Sequence, residues 1–147
     1  MTGMKYHKPV LLEESVAGLA IREDGVYVDV TFGGGGHSRE ILKYLGDHGR
    51  LIAFDQDEDA LGNAPEDGRF ELIQANFRFI KQYLKFYGIL KVDGILGDFG
   101  VSSHQFDQAE RGFSTRLDAQ LDMRMDQKGG LSAREVVNNY PTERLRE

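Results

Sequence analysis

Apolar and polar positions follow two rhythms along the chain. Four short apolar runs, "VYVDV" (26–30), "LIAFD" (51–55), "FELIQA" (70–75) and "DGILGD" (93–98), are separated by stretches with helical spacing. Such alternation predicts βαβ units, a parallel sheet and an α/β fold with right-handed crossovers. In "HSREILKYLGDHG" the apolar face is Ile41, Leu42 and Leu45, with Gly46 as the stop. In "NFRFIKQYLKFYG" Asn76 caps a helix whose stripe is Phe77, Ile80, Leu84 and Tyr87, and Gly88 ends it. The crossover after the second run, "DEDALGNAPEDG", carries Gly62 and Pro65 and has room for little more than two turns. Upstream, "KPVLLEESVAGLAI" predicts an amphipathic helix starting near Pro9.

After Asp98 both rhythms fade. From Phe99 to Gly130 neither a period of two nor of 3.6 is sustained, which predicts a long irregular segment of the kind that carries function. Order resumes at Ser132, where "SARE" forms a capping box before Val136 and Val137, and again at Pro141, with Thr142 as a cap. A cap with almost no helix after it, and a fourth strand with no fifth beside it, predict the N-terminal part of a longer protein, cut after the fourth strand.

Composition narrows the function. The 147 residues include no cysteine, so disulfides, thiolate metal sites and cysteine nucleophiles are excluded, in keeping with a reducing compartment. No apolar run approaches the roughly 20 residues of a membrane span and no secretory signal opens the chain, so the expected location is cytoplasmic. The formal net charge of −6 argues against a large phosphate-binding surface, leaving any nucleic-acid contact local. His104 has no second ligand at metal spacing, and no metal is expected.

The chemistry gathers at the carboxyl ends of the predicted strands, where ligands of open parallel sheets bind. Gly33 to Gly36 follow the first strand, and missing Cβ atoms there let a ligand approach backbone N–H groups. His37 and Ser38 then open a helix whose N-terminal end favours negative charge. Asp55, 22 residues after Gly33, ends the second strand where ribose hydroxyls of an adenosine cofactor would be held. Phe77 follows the third strand, either beside an adenine or in the core. Asp98 ends the fourth strand, facing the reacting end of such a cofactor or simply capping the strand. Ser102, Ser103, His104 and Gln105 offer further polar contacts. The dinucleotide fingerprint is only partly met, because Ser38 stands where its third glycine belongs. A nicotinamide-dependent oxidoreductase therefore competes with a sulfonium-cofactor enzyme, and a cofactor-binding fragment without activity is a third reading.

Together "HKPVLLEE", "DVTFGGGGHS", "AFDQD", "DGILGDFGVSSHQFD" and "ERGFSTRLDAQLDMRMD" resemble the ribosomal RNA small-subunit methyltransferase H family, which uses S-adenosylmethionine to methylate N4 of a cytidine in 16S rRNA. The resemblance runs from about His7 to Met125 and implies a Rossmann-like class I methyltransferase whose members are about twice this long. Residues 1–147 would be the N-terminal part of the cofactor-binding domain, and about 99–147 a long loop and the start of a helical insertion. Carried over, it implies that Gly35, Gly36 and His37 hold the methionine part or ribose, Asp55 the ribose hydroxyls, Phe77 the adenine, and Asp98 and Gln105 the methyl side, with Gly33 of the glycine run counted among the cofactor-binding residues. Asp98 is the candidate catalytic group. Gly34, where a basic residue is common, Gly97 and Phe99, where leucine is usual, and His104, where proline is usual, depart from the family. The implied partner is 16S rRNA or the small ribosomal subunit, reached through Arg111, Arg116, Arg124 and Lys128 interleaved with Phe113 and Met123. The competing reading of "LDMRMD" pairs its charges within the fold.

Overall fold

The computed structural model describes residues 9–146, so His7 and Lys8 of the first resembling block lie outside the described residues. The chain divides into two compact units, one running to Phe99 and the other starting at Gly100.

The first unit is built on a parallel sheet. Strands β1 (Val26–Asp29), β2 (Arg50–Asp55), β3 (Phe70–Gln74) and β4 (Gly94–Leu96) lie in the order β3-β2-β1-β4. All three pairings are parallel, with Val28 opposite both Ile52 and Ile95. This is the expected α/β arrangement, and the strand order reverses between β1 and β4. The two inner strands read as apolar runs because both of their faces are covered. On one face Tyr27, Leu51 and Leu96 pack with Val16, Ile41 and Leu42 from helices α1 (Leu12–Gly18) and α2 (Gly36–Tyr44), and with Leu45 just past the end of α2. On the other, Val28, Val30, Ile52, Phe54 and Ile73 pack with Ile89 and with Ile80, Tyr83 and Leu84 of helix α3 (Ile80–Phe86). Fully burying each such side chain contributes about 1.5–3 kcal/mol before the entropy of ordering is counted.

Local signals explain most of the helix ends. Asn76 accepts a hydrogen bond from the Arg78 N–H at 2.9 Å, as expected of a cap, although the first turn it starts, Phe77–Phe79, is a 3-10 turn. Gly88 has φ of 70°, and its N–H and that of Ile89 donate to the carbonyls of Lys85 and Leu84, the double closure that a left-handed residue permits. The crossover after β2 is a 3-10 segment, Glu58–Asn63, matching the room available.

Two boundaries in this unit differ from the sequence reading. Helix α1 starts at Leu12, not near Pro9, because Leu11 adopts a left-handed φ of 50°. Pro9 instead lies against α2, where a Cβ on Gly36 would come within 2.3 Å of its ring. Helix α2 ends because Leu45 turns extended to bury its side chain. Gly46 serves a close approach, its N–H donating to the Glu23 carbonyl at 2.8 Å.

In the second unit the segment expected to be wholly irregular contains helix α4 (Ser103–Asp107) and a 3-10 turn, Ala109–Arg111. Ser102 and Gln105 form a capping box, a signal present in "SSHQ" but too short to show a period. From Gly112 to Leu131 the backbone is irregular, as expected. Helix α5 (Ala133–Asn139) is capped by the Ser132–Glu135 box that "SARE" announces. In α6 (Thr142–Leu145) the cap position belongs to Pro141, and Thr142 is already helical with no capping hydrogen bond. Among the described residues no helix is long and apolar enough to cross a membrane, and no group of three or more His, Cys, Asp or Glu is placed to hold a metal ion.

Candidate functional site

The parallel register brings the tips of β1, β2, β3 and β4 to one edge of the first unit, where backbone and side-chain hydrogen bonds shape it. Strand β1 leaves the sheet through Val30, whose N–H donates to Leu96, and Phe32, whose N–H donates to Phe54. The chain then reverses through Gly33 and Gly35, with φ of 52° and 75°. Residues with a Cβ rarely adopt these values, so both glycines are required by the turn itself. Space matters differently along the run. A Cβ at Gly35 would crowd Phe32 and Arg39, and one at Gly36 would strike Pro9, so these glycines first make room for the protein's own side chains. At Gly33 a Cβ would meet nothing within 4 Å, and there the backbone is open to a ligand.

Asp55 ties this turn to β2. Its Oδ2 accepts the Gly33 N–H at 2.8 Å and its Oδ1 accepts the Asp57 N–H at 2.9 Å. Burial holds its carboxyl above the usual carboxylate range, partly offset by those backbone donors and reinforced by Asp57 nearby. With the Gln56 backbone donating as well, three of the carboxylate's roughly four acceptor sites are taken and one is left for a ligand hydroxyl. The far side of the turn is clasped as well. Arg39 donates to the Gly34 carbonyl at 2.6 Å and to the Asn63 carbonyl, while the Asn63 amide donates to the Gly33 carbonyl at 3.1 Å.

His37 sits in the first turn of α2 and is 5% exposed, and its Nε2 has no hydrogen-bond partner among the described residues. A buried ring nitrogen left unpaired costs free energy unless something occupies the space it faces, so it is a natural ligand contact. Phe77 is 40% exposed and stays out of the core that its stripe suggested; its ring stacks obliquely on Phe99, with centroids 5.5 Å apart. Phe99 is 70% exposed. Two open aromatic faces at a strand edge offer a stacking surface for a flat ring. Asp98 is exposed at the end of β4, and its N–H donates to the Thr31 hydroxyl at 2.7 Å. The structure thus gathers Gly33, Gly35, Gly36, His37, Asp55, Phe77 and Asp98 in one unit. Gln105 belongs to the second unit, where it is 6% exposed and its Oε1 accepts the Ser102 N–H at 3.0 Å, the local job of a capping residue.

Sequence reasoning passed over Asp29. It is fully buried, its Oδ2 accepting from the Ser38 hydroxyl at 2.7 Å and its Oδ1 from the Thr31 N–H at 3.0 Å. Burial raises its pKa, against the lowering effect of Ser38, Thr31 and His37. This acid joins β1 to α2 across the glycine turn. The signal available was an acid inside an apolar strand, which needs a partner.

The long segment after β4 reads differently from the expected RNA surface. Arg111 is 3% exposed and its guanidinium donates to the carbonyls of Arg124 and Met125, so it is an internal brace of the second unit. Arg124 is committed to a two-point ion pair with Asp122, at 2.9 and 2.7 Å. The competing reading of "LDMRMD", in which charges pair within the fold, is the observed one. Arg116 remains exposed.

A model of the MraW methylase family matches residues 4–147. The chain is 69% identical over 143 residues to a protein of Christiangramia forsetii named ribosomal RNA small subunit methyltransferase H, covering 97% of this chain and 47% of that one. Proteins of the same name from Flavobacterium johnsoniae and Bacteroides fragilis are 67% identical over 99% of this chain and 59% identical over 95% of it, covering 48% and 46% of their own lengths. The chain spans about half the length of the curated relatives it matches.

Proposed function

Because the chain belongs to the MraW methylase family, we propose that it is the S-adenosylmethionine-binding part of a cytoplasmic ribosomal RNA methyltransferase acting on N4 of a cytidine in 16S rRNA. In this reading residues 99–147 are the loop and the start of a helical insertion, with Gln105 on the methyl side. The observation that carries it is the joining of an open, left-handed glycine turn to a strand-end carboxylate by the Gly33–Asp55 hydrogen bond. That pairing suits an adenosyl cofactor: the glycine turn of Gly33, Gly35 and Gly36, open at Gly33, for the amino-acid part, Asp55 for ribose hydroxyls, Phe77 for the adenine face. The unpaired Nε2 of His37 gives a buried donor or acceptor for a polar group of the same ligand.

Bound S-adenosylmethionine supplies a methyl group already activated by its positively charged sulfur. The chain's own residues then have to align the incoming amine and exclude water. Cytosine N4 is a weak nucleophile, since its lone pair is delocalised into the ring, and it sheds a proton as the new bond to carbon forms. Asp98 is the candidate acceptor: it is exposed at the end of β4, and its backbone is fixed by Thr31. A base must leave its stack to reach such a group, and Phe99 next to Asp98 presents an open ring to receive it.

Titration calorimetry with S-adenosylmethionine and with NAD on the same preparation tests the cofactor. Heat with the first and none with the second is the expected result, and the reverse would replace this reading with an oxidoreductase. Methyl transfer from labelled cofactor to small ribosomal subunits tests the substrate.

A further inference from the structure

The acidic chain hides one stretch of the opposite sign. Between Asn76 and Val92 there is no acidic residue, while Arg78, Lys81, Lys85 and Lys91 fall within it. Arg78, Lys81 and Lys85 follow one another at spacings of three and four, which places them in one row along the Phe77–Phe79 turn and α3. All are exposed, and among the described residues none is in an ion pair. Like charges stacked on a helix repel each other, so the row weakens the helix unless a polyanion neutralises it. Aromatic rings accompany it. Arg78 lies 4.6 Å over the exposed ring of Phe79, and Phe86, one position past Lys85, is 83% exposed. The opposite face of α3 is spoken for, with Ile80, Tyr83 and Leu84 packed on the sheet.

We propose that this outer face of α3 is a contact surface for single-stranded RNA, with Arg78, Lys81 and Lys85 on successive phosphates and Phe79 and Phe86 as stacking faces. The occupant follows from charge and chemistry. A row of cations spaced along an axis matches a linear polyanion, and interleaved open rings suit unpaired bases and not a duplex. With the rest of the chain strongly acidic, an approaching polyanion is steered to this face. The row also begins beside Phe77, so an RNA lying along it is led to the strand tips that carry Asp55 and Asp98. The inference rests on the proposed RNA-methylating role for its choice of polyanion.

The test is fluorescence anisotropy of a short labelled single-stranded RNA across a salt series, with S-adenosylmethionine calorimetry on every variant. Each phosphate contact on a single strand contributes about 0.7 to the slope of log affinity against log salt, so three contribute about two. The R78Q/K81Q/K85Q variant is expected to lower the slope by about two and the affinity at low salt at least roughly ten-fold. F86A is expected to weaken binding by roughly ten-fold with the slope unchanged, as loss of stacking does. Cofactor titration stays unchanged in both. An unaltered slope in the triple variant overturns the proposal. So does an equal loss when Lys43, Arg50 and Arg144 are neutralised instead, or tighter binding of phosphatidylserine vesicles than of RNA. If the unsubstituted chain takes no S-adenosylmethionine while RNA binding still follows the row, the cofactor reading fails and the surface stands.

Discussion

Asp55 and Asp29 are both buried acids with raised pKa, yet they have different tasks. Asp55 keeps acceptor capacity for a ligand, so Asp55→Asn is expected to weaken S-adenosylmethionine binding by about ten- to a hundred-fold, the worth of one hydrogen bond to a charged group, as measured by calorimetry. Asp29 is wholly internal, and its effect belongs to stability. A carboxyl whose folded pKa exceeds its unfolded value binds its proton more tightly when folded, so its contribution is greatest at low pH and declines as pH rises from the unfolded pKa through the folded one. Denaturant titrations from the ordinary carboxylate range upward should show this decline, and Asp29→Asn should lessen it, since an amide has no charge to bury, with Asp55 supplying the remainder. The acid's partner, Ser38, lies nine residues on and across a turn, which is why nothing in the sequence near Asp29 disclosed the pair. Arg111 eluded the sequence for the same reason, because a charge in a polar segment does not reveal that its guanidinium is threaded among carbonyls. By contrast Gly33, Gly35 and Asp55 were legible, since backbone conformation and strand position follow from residue type and order.

Among the elements, those with a local code were readable. Asn76, Ser132 and Gly88 each satisfy helix-end groups within a few residues of themselves, so their signals are complete in the sequence. Gly88→Ala is expected to cost about 1–2 kcal/mol in a urea melt, because φ near 70° strains any Cβ. Ser132→Ala is expected to cost about 1 kcal/mol in the second unit. Helix α4 was missed although its capping box is equally local, because five residues are too few for periodicity to speak. The start of α1 was missed because Pro9 is held by packing on Gly36, a contact between segments far apart in sequence.

On the scale of the whole molecule, ligand and fold are coupled by mass action. S-adenosylmethionine at a hundred times its dissociation constant should stabilise the first unit by about 2.7 kcal/mol, seen as a rise in melting temperature that NAD does not produce. Strand order has its own outcome. Strand β4 lies outermost with Ile95 54% exposed, and nothing among the described residues pairs with its free side. Bare amides and carbonyls in a row form a template for further backbone. Concentrated solutions of this chain should therefore scatter light increasingly with time as copies add on by β-augmentation, and a lysine in place of Ile95 should keep them clear.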